Sequence, residues 1–167
     1  SDMHAYLGHD ERRPAPLILG HEAAGTIQGG DNDGMRVTVN PLVTCQVCPA
    51  CKAGRENLCP KRQIISMMPR QGAFAQYIAM PMRNLVEVPA HVALGKAALA
   101  EPLAVSWHAV RLALEALHPS IERRALVIGG GAIGLAAALA LRAMGVKDVV
   151  IVEPDEKRCA FLANSCD

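Results

Sequence analysis

Four of the six cysteines in the chain lie within fifteen residues of one another, at Cys45, Cys48, Cys51 and Cys59. Such crowding favours a metal site over disulfides. Four thiolates satisfy tetrahedral zinc and leave no coordination position for a substrate, so the predicted site is a structural one. The alternatives are reduced cysteines without a ligand, or an iron–sulfur cluster, although the spacing differs from the usual ferredoxin patterns.

Composition limits the classes of protein that the chain can belong to. The 167 residues are 51% hydrophobic, which is enough for a sizeable core in one large domain or in parts of two. The net charge is only +1 and aromatic residues make up 3%, so we expect no nucleic-acid partner. The apolar runs are too short and too rich in alanine to span a bilayer, so we expect no membrane partner and a cytoplasmic location.

Two patterns divide the chain at about residue 95. Residues 1–94 carry short β-rich runs separated by Gly and Pro, which predicts a small irregular β domain. The predicted strands are residues 23–28, 35–40 and 73–80. The chain begins without a Met and stops within a pattern, so we expect it to be part of a longer protein.

Residues 95–167 predict a linker helix followed by a βαβ unit. Pro102 suits the first turn of the linker helix. The apolar stripe predicted for that helix is Leu103, Trp107, Val110, Leu114 and Leu117. The βαβ unit is predicted as a strand at 125–128, a helix at 132–144, a strand at 149–152 and a further helix from 156, which carries Cys159 and Cys166 as free thiols. The fold class is therefore α/β with a β-rich domain.

A glycine-rich turn separates the first of these strands from its helix. Gly129-Gly130-Gly131-Ala132-Ile133-Gly134 fits the G-x-G-x-x-G pattern of dinucleotide-binding proteins. Gly129 would permit the tight turn, Gly131 the approach of the backbone to a pyrophosphate, and Gly134 close packing of the helix. The alternative is a turn that merely connects a strand to a helix.

An acidic residue, Glu153, ends the second strand, as the dinucleotide pattern requires. Its carboxylate would hold the adenosine ribose hydroxyls and repel a 2′-phosphate, which favours NAD over NADP. Arg158 follows a few residues later, and a nearby arginine can accommodate that phosphate, so the preference for NAD stays provisional.

These motifs, together with residues 20–22 (Gly-His-Glu), 40–45 and 101–104, resemble the zinc-containing medium-chain dehydrogenase/reductase family over nearly the whole chain. The resemblance is strongest to the sorbitol, threonine and idonate dehydrogenase branch, because Glu101 occurs where liver alcohol dehydrogenases carry a cysteine. It implies a partial GroES-like catalytic barrel, lacking its N-terminal start, in 1–94. It implies the start of a Rossmann doubly wound parallel sheet in 95–167, with the active site between the two domains.

The resemblance also implies a catalytic zinc, which the family holds with a cysteine, the histidine of Gly-His-Glu and a third Cys or Glu. His21 matches the histidine, and Glu22 is a candidate ligand or a contact of one. Glu101 is the candidate third ligand, or the group that holds the zinc-bound water. Positive potential at a helix start would help to keep its carboxylate ionised. Considered alone, His21 would be an ordinary hydrogen-bonded histidine and Glu101 a helix N-terminal acid.

The first four residues resemble the family's Cys-Gly-Ser-Asp-x-His segment without its first two residues. The hydroxyl of Ser1 would then take the substrate proton and His4 would pass it towards solvent; the alternative is that both are frayed terminal residues without a role.

The activity that the resemblance implies is zinc-dependent transfer of a hydride between a secondary alcohol, either a polyol or a sugar-acid-like compound, and NAD. The complete enzyme would hold one structural and one catalytic zinc and form a homo-oligomer. The alternatives are a catalytically silent fragment that binds zinc and nucleotide, or the same fold acting on threonine or a simple alcohol.

Overall fold

The computed structural model describes residues 2–165, which form two compact units, one up to Glu101 and one from Pro102 onward. The first unit contains β1 (Ala24–Thr26), β2 (Arg36–Val39), β3 (Leu42–Val43), β4 (Gln63–Ile64) and β5 (Leu85–Glu87). Its helices are α1 (Asp2–Tyr6), α2 (Pro49–Lys52) and α3 (Leu94–Ala97), with 3-10 helices at Glu56–Leu58 and Met82–Asn84. A long helix, α4 (Ala100–Ala116), begins at the end of this unit, and the second unit continues with β6 (Arg124–Ile128), α5 (Ala132–Ala143), β7 (Asp148–Val152) and α6 (Glu156–Ser165).

The first unit is built on a three-stranded antiparallel sheet in the order β1-β2-β5. β2 is its central strand, and the side chains of Val37 and Val39 are buried in the core. The Oγ1 atom of Thr38 lies 3.0 Å from the carbonyl oxygens of Ala23 and Ala97, and the single hydroxyl proton, shared between these acceptors, ties the strand to α3. A second antiparallel pair, β3-β4, flanks the four-cysteine segment. The predicted strands at 23–28 and 35–40 form, in shorter versions.

The prediction of a strand at residues 73–80 is wrong. The amides of residues 72–74 donate to the carbonyls of residues 18–20 at 2.7–2.9 Å, but no ladder continues beyond them within residues 2–165. A strand requires a hydrogen-bonded neighbour along its length, and a β-rich run of sequence does not show whether such a neighbour exists. The segment instead borders a groove of about 590 Å³ whose other wall is β1 and β2.

The second unit is a βαβ arrangement, as the sequence predicts. β6 and β7 are parallel and pair over five residues, from Arg124 with Asp148 to Ile128 with Val152. The buried core of the unit combines one residue of α4 with the end of α5 and the turn that follows, namely Val110, Ala140, Leu141 and Val146. The structure therefore confirms a mixed α/β chain that contains the start of a parallel sheet.

The buried face of α4 matches the predicted stripe only in part, because Val110 is buried in the core and Leu114 packs against it, whereas the other three predicted residues are exposed. Its buried residues are Pro102, Ser106 and Val110, one turn apart, while Trp107 is 47% exposed. Leu103 and Leu117 are exposed as well. The hydroxyl of Ser106 donates to a backbone carbonyl of α5, so the side of α4 that packs is set by the position of α5 and not by the largest apolar side chains. No helix among residues 2–165 is long and apolar enough to cross a membrane.

Candidate metal centres and nucleotide turn

The four clustered cysteines converge in the structure. The Sγ atoms of Cys45, Cys48, Cys51 and Cys59 all lie within 4.8 Å of one another. Two of the distances are 3.5 Å, between Cys48 and Cys51, and 3.6 Å, between Cys45 and Cys59. Sulfur atoms bound to tetrahedral zinc at about 2.3 Å would be roughly 3.8 Å apart, so this donor set fits a zinc ion.

Local backbone structure brings these sulfurs together. Cys48 caps α2, where its Sγ accepts from the amide of Cys51 at 3.5 Å and Pro49 occupies the first turn. Gly54 turns the chain back with φ of 69°, a conformation that favours glycine. Cys59 is fully buried at the end of the loop. The lobe is therefore a set of short turns whose sulfurs point inward.

The pKa values of two of the four thiols shift in opposite directions. Hydrogen bonds from the backbone amides of Val47 and Cys48 lower the pKa of Cys45 to about 6. Burial raises the pKa of Cys51 to about 11. Backbone amides that stabilise a thiolate are also suited to a metal-bound sulfur.

A second cluster lies in the same unit and contains His21, Glu22 and Glu101, with one ligand atom of each within 4.8 Å of the others. A nitrogen with two carboxylate oxygens is a donor set that zinc accepts, and three protein ligands are typical of catalytic sites. Burial raises the pKa of Glu101, while the charge of His21 lowers it and that of Glu22 raises it. Burial thus opposes the ionisation that the position of Glu101 in the first turn of α4 was expected to favour.

Sequence reasoning missed the group that contacts His21. That group is the carboxylate of Asp2, whose Oδ2 atom lies 3.4 Å from His21 Nδ1. Asp2 belongs to the segment that resembled the family's Ser-Asp-x-His, so its place in that motif was the available signal. The same segment's Ser1 lies outside the described residues, and His4 is exposed in α1 with its ring centroid 6.3 Å from that of His9.

The glycine-rich turn joins β6 to α5. Gly129 has φ of 97°, and its amide donates to the carbonyl of Val152 at 2.8 Å. A Cβ atom on Gly134 would lie 1.8 Å from the carbonyl oxygen of Gly129, so helix and turn approach too closely for any side chain there. A Cβ atom on Gly131 would meet nothing within 4 Å, which leaves open space over the start of α5 at Ala132 and Ile133.

Glu153 follows β7 and faces this turn. Its Oε2 atom accepts from the amide of Gly130 at 2.7 Å, and its Oε1 atom from that of Asp155 at 2.9 Å. These two hydrogen bonds hold the pKa of Glu153 below its usual value, and Arg158, with Nη1 at 3.5 Å, adds to the effect. Of the two cysteines predicted as free thiols, Cys159 is free and exposed, and Cys166 lies outside the described residues.

The known proteins that the chain resembles in sequence include dehydrogenases. The family model described as "Alcohol dehydrogenase GroES-like domain" matches residues 1–90. The chain is 41% identical over 156 residues to L-galactonate-5-dehydrogenase of Escherichia coli K12, covering 90% of this chain and 44% of that protein. It is 37% identical over 151 residues to a sorbitol dehydrogenase of Arabidopsis thaliana, covering 87% and 40%. The chain thus spans less than half the length of these relatives.

A solved structure shares the same fold. It comes from Escherichia coli CFT073, is described as a short chain alcohol dehydrogenase complexed with NADH, and superposes with a TM-score of 0.85 at 29% identity. The superposition covers 99% of this chain and 49% of that one. Residues 1–90 therefore form an alcohol dehydrogenase GroES-like domain. The chain belongs to the medium-chain zinc alcohol/polyol dehydrogenase family, in its sorbitol/idonate-like branch.

Proposed function

We propose that the chain is part of a zinc-dependent oxidoreductase that transfers a hydride between a secondary alcohol and NAD. The observation that carries the proposal is the convergence of His21, Glu22 and Glu101 in the unit that also holds the four-cysteine lobe. The names of the relatives, which include a galactonate and a sorbitol dehydrogenase, support a polyol or a sugar-acid-like substrate.

The roles of the metal-site residues follow from their donor atoms. Asp2 lies against the Nδ1 edge of His21, so Nε2 is the nitrogen that would face a metal. Glu101 would complete the site as a metal ligand or hold a metal-bound water molecule. Glu22 would be a further metal ligand or would contact one of the ligands. A zinc ion held by these residues would supply a Lewis acid for the substrate hydroxyl. Ser1 would take the hydroxyl proton, and the exposed His4 would release it to solvent.

The nucleotide would bind at the turn between β6 and α5, within a Rossmann sheet that β6 and β7 begin. Residues 129–134 would receive the pyrophosphate, because Gly131 leaves open space and the helix start at Ala132 and Ile133 carries positive potential. Glu153 would hold the ribose hydroxyls and favour NAD, with Arg158 beside it. The division into residues 1–94 and 95–167, the cytoplasmic location and a homo-oligomeric complete enzyme belong to the same proposal.

Zinc content of the full-length protein, purified without added metal, tests the proposal. We expect about two zinc ions per chain and NAD-dependent oxidation of polyols or sugar acids. Glu101→Gln should remove one zinc and the activity, while Glu115→Gln, in the exposed part of the same helix, should change neither. One zinc per chain in the unaltered protein would contradict the catalytic assignment.

The alternatives give different results in the same experiment. A catalytically silent module would bind NAD and one zinc and oxidise no alcohol. The same fold acting on threonine or a simple alcohol would hold two zinc ions and prefer those substrates to sorbitol or galactonate in a direct comparison of kcat/KM.

A further inference from the structure

The two oxygens of the Asp2 carboxylate have different partners. Oδ1 accepts from three donors, namely Arg13 Nη1 at 3.3 Å, the amide of Gly20 at 3.3 Å and Ser66 Oγ at 3.2 Å. Oδ2 lies 3.4 Å from His21 Nδ1. Because three donors hold one oxygen, the plane of the carboxylate is fixed and the other oxygen is directed at the histidine.

Arg13 is the charged member of these three donors, and it is buried. Its side chain is only 4% exposed, and its Nε lies 3.6 Å from Oδ2 of Asp10. A buried guanidinium requires acidic partners, and its planar, rigid fork fixes the direction of the carboxylates it contacts. Arg13 thus stands between Asp10 on one side and Asp2 on the other.

The adjacent arginine shows that this arrangement is specific to one residue. Arg12 also bonds to Asp10, with Nε to Oδ1 at 2.9 Å, but its side chain is 74% exposed. Within residues 2–165 its hydrogen bonds go to Asp10 and not to Asp2. An exposed pair of this kind contributes little to stability. Arg12 is therefore a matched control for Arg13.

We propose that Arg13 is a positioning residue for the metal site of His21 and Glu101. By holding Oδ1 of Asp2, it leaves Oδ2 to accept the Nδ1 proton of His21, which fixes the tautomer whose Nε2 can bind a metal. Carboxylates that orient a ligating histidine in this way typically change metal affinity about 10–100-fold when they are disturbed. The inference rests on the proposed function, since it assigns a role toward the same zinc site.

The test compares Arg13→Gln with Arg12→Gln in the full-length protein. Chelator competition measures the dissociation constant of the zinc that is bound outside the four-cysteine lobe. We expect the Arg13 variant to raise that constant about 10–100-fold while the lobe keeps its own zinc. Arg13→Lys, which keeps the charge but not the fork, should raise it by less, and Arg12→Gln should leave it unchanged.

A second readout reports on the histidine directly. Long-range ¹H–¹⁵N spectra of the metal-free protein should show His21 protonated at Nδ1 in the unaltered chain and a mixture of tautomers in Arg13→Gln. Unchanged metal affinity together with an unchanged tautomer in a folded Arg13→Gln protein overturns the inference. If that variant does not fold, an Arg13→Lys protein indistinguishable from the unaltered one overturns it instead.

These results separate the inference from the function on which it rests. A second zinc that is present in the unaltered protein and insensitive to Arg13 overturns the positioning role alone. Absence of a second zinc from the unaltered protein overturns the proposed function, and the positioning role with it.

Discussion

The amide of Gly130 donates a 2.7 Å hydrogen bond to Oε2 of Glu153, which joins the glycine-rich turn after β6 to the residue that follows β7. The contact is possible because the two strands are parallel and end together, with Ile128 opposite Val152. The Glu153 side chain is only 3% exposed, so the structure of the turn depends on a carboxylate that the protein largely surrounds.

Glu153→Gln should make the second unit less stable at neutral pH and have little effect in acid. The amides of Asp155 and Gly130 lower the pKa of Glu153 below its ordinary value of 4.5. A carboxylate with a lowered folded-state pKa stabilises the folded chain above about pH 4.5, and this contribution is lost as the pH falls through the folded pKa. Thermal unfolding of both proteins between pH 3 and pH 8 measures the difference.

The control for this experiment is Glu122→Gln, which changes an exposed acid before β6. A difference between Glu153→Gln and the unaltered protein that stays constant, or grows, as the pH falls would contradict the assignment.

Gly134→Ala should destabilise the second unit, whereas Gly131→Ala should not. A Cβ atom on Gly134 would lie 1.8 Å from the carbonyl oxygen of Gly129, so the backbone must shift, at a cost of about 2 kcal/mol or more. A Cβ atom on Gly131 meets nothing within 4 Å. Denaturant unfolding compares the two variants.

The affinity for NAD should depend on Gly131, although the stability of the unit does not. Gly131→Ala should fold normally and bind NAD more weakly by calorimetry, because its methyl group occupies space at the start of α5. Normal affinity for NAD in this variant would argue against pyrophosphate binding at the turn.

Val110→Ala should destabilise the chain more than Trp107→Ala does, although tryptophan is much the larger residue. Val110 is buried against α5 in the core of the second unit, and removing its methyl groups should cost roughly 2 kcal/mol. Trp107 is 47% exposed. Equal or reversed losses in the free energy of unfolding would favour a packed Trp107, as the sequence predicted.

Cys48→Ser should remove one zinc per chain and disorder the lobe without preventing its first turn from forming. The serine oxygen can still cap α2 by accepting from the amide of Cys51, but it is a poor zinc ligand in a site of thiolates. Metal analysis measures the loss, and limited proteolysis reports the exposure of the loop. Cys159→Ser, which changes an exposed free thiol, should leave the metal content unchanged.

Sequence reasoning found the elements whose signal is local. The spacing of Cys45, Cys48, Cys51 and Cys59 predicted a lobe that the structure brings together, because short turns fix the direction of neighbouring side chains. The glycine-rich turn and its two strands were found for the same reason. Residues 73–80 were predicted as a strand and are not one, because a strand depends on a distant partner that a β-rich run does not identify.

The residues around the second cluster illustrate what sequence alone leaves open. His21 and Glu101 were singled out by resemblance, and the motif that contains Asp2 offered a signal for that residue, but nothing in the order of residues indicated that Arg13 and Ser66 meet Asp2. Ser66 is 64 residues from Asp2 and adopts φ of 68°, a conformation that only its surroundings can maintain.

The sequence by itself determined the four-cysteine lobe, the dinucleotide-type turn and the βαβ order, since each depends on contacts between residues close in the chain. Only the tertiary structure decided which face of α4 is buried, which oxygen of Asp2 faces His21 and how deeply Glu153 and Arg13 lie. Those features depend on packing between distant segments, where burial and hydrogen bonding change the cost of a charge and the direction of a side chain.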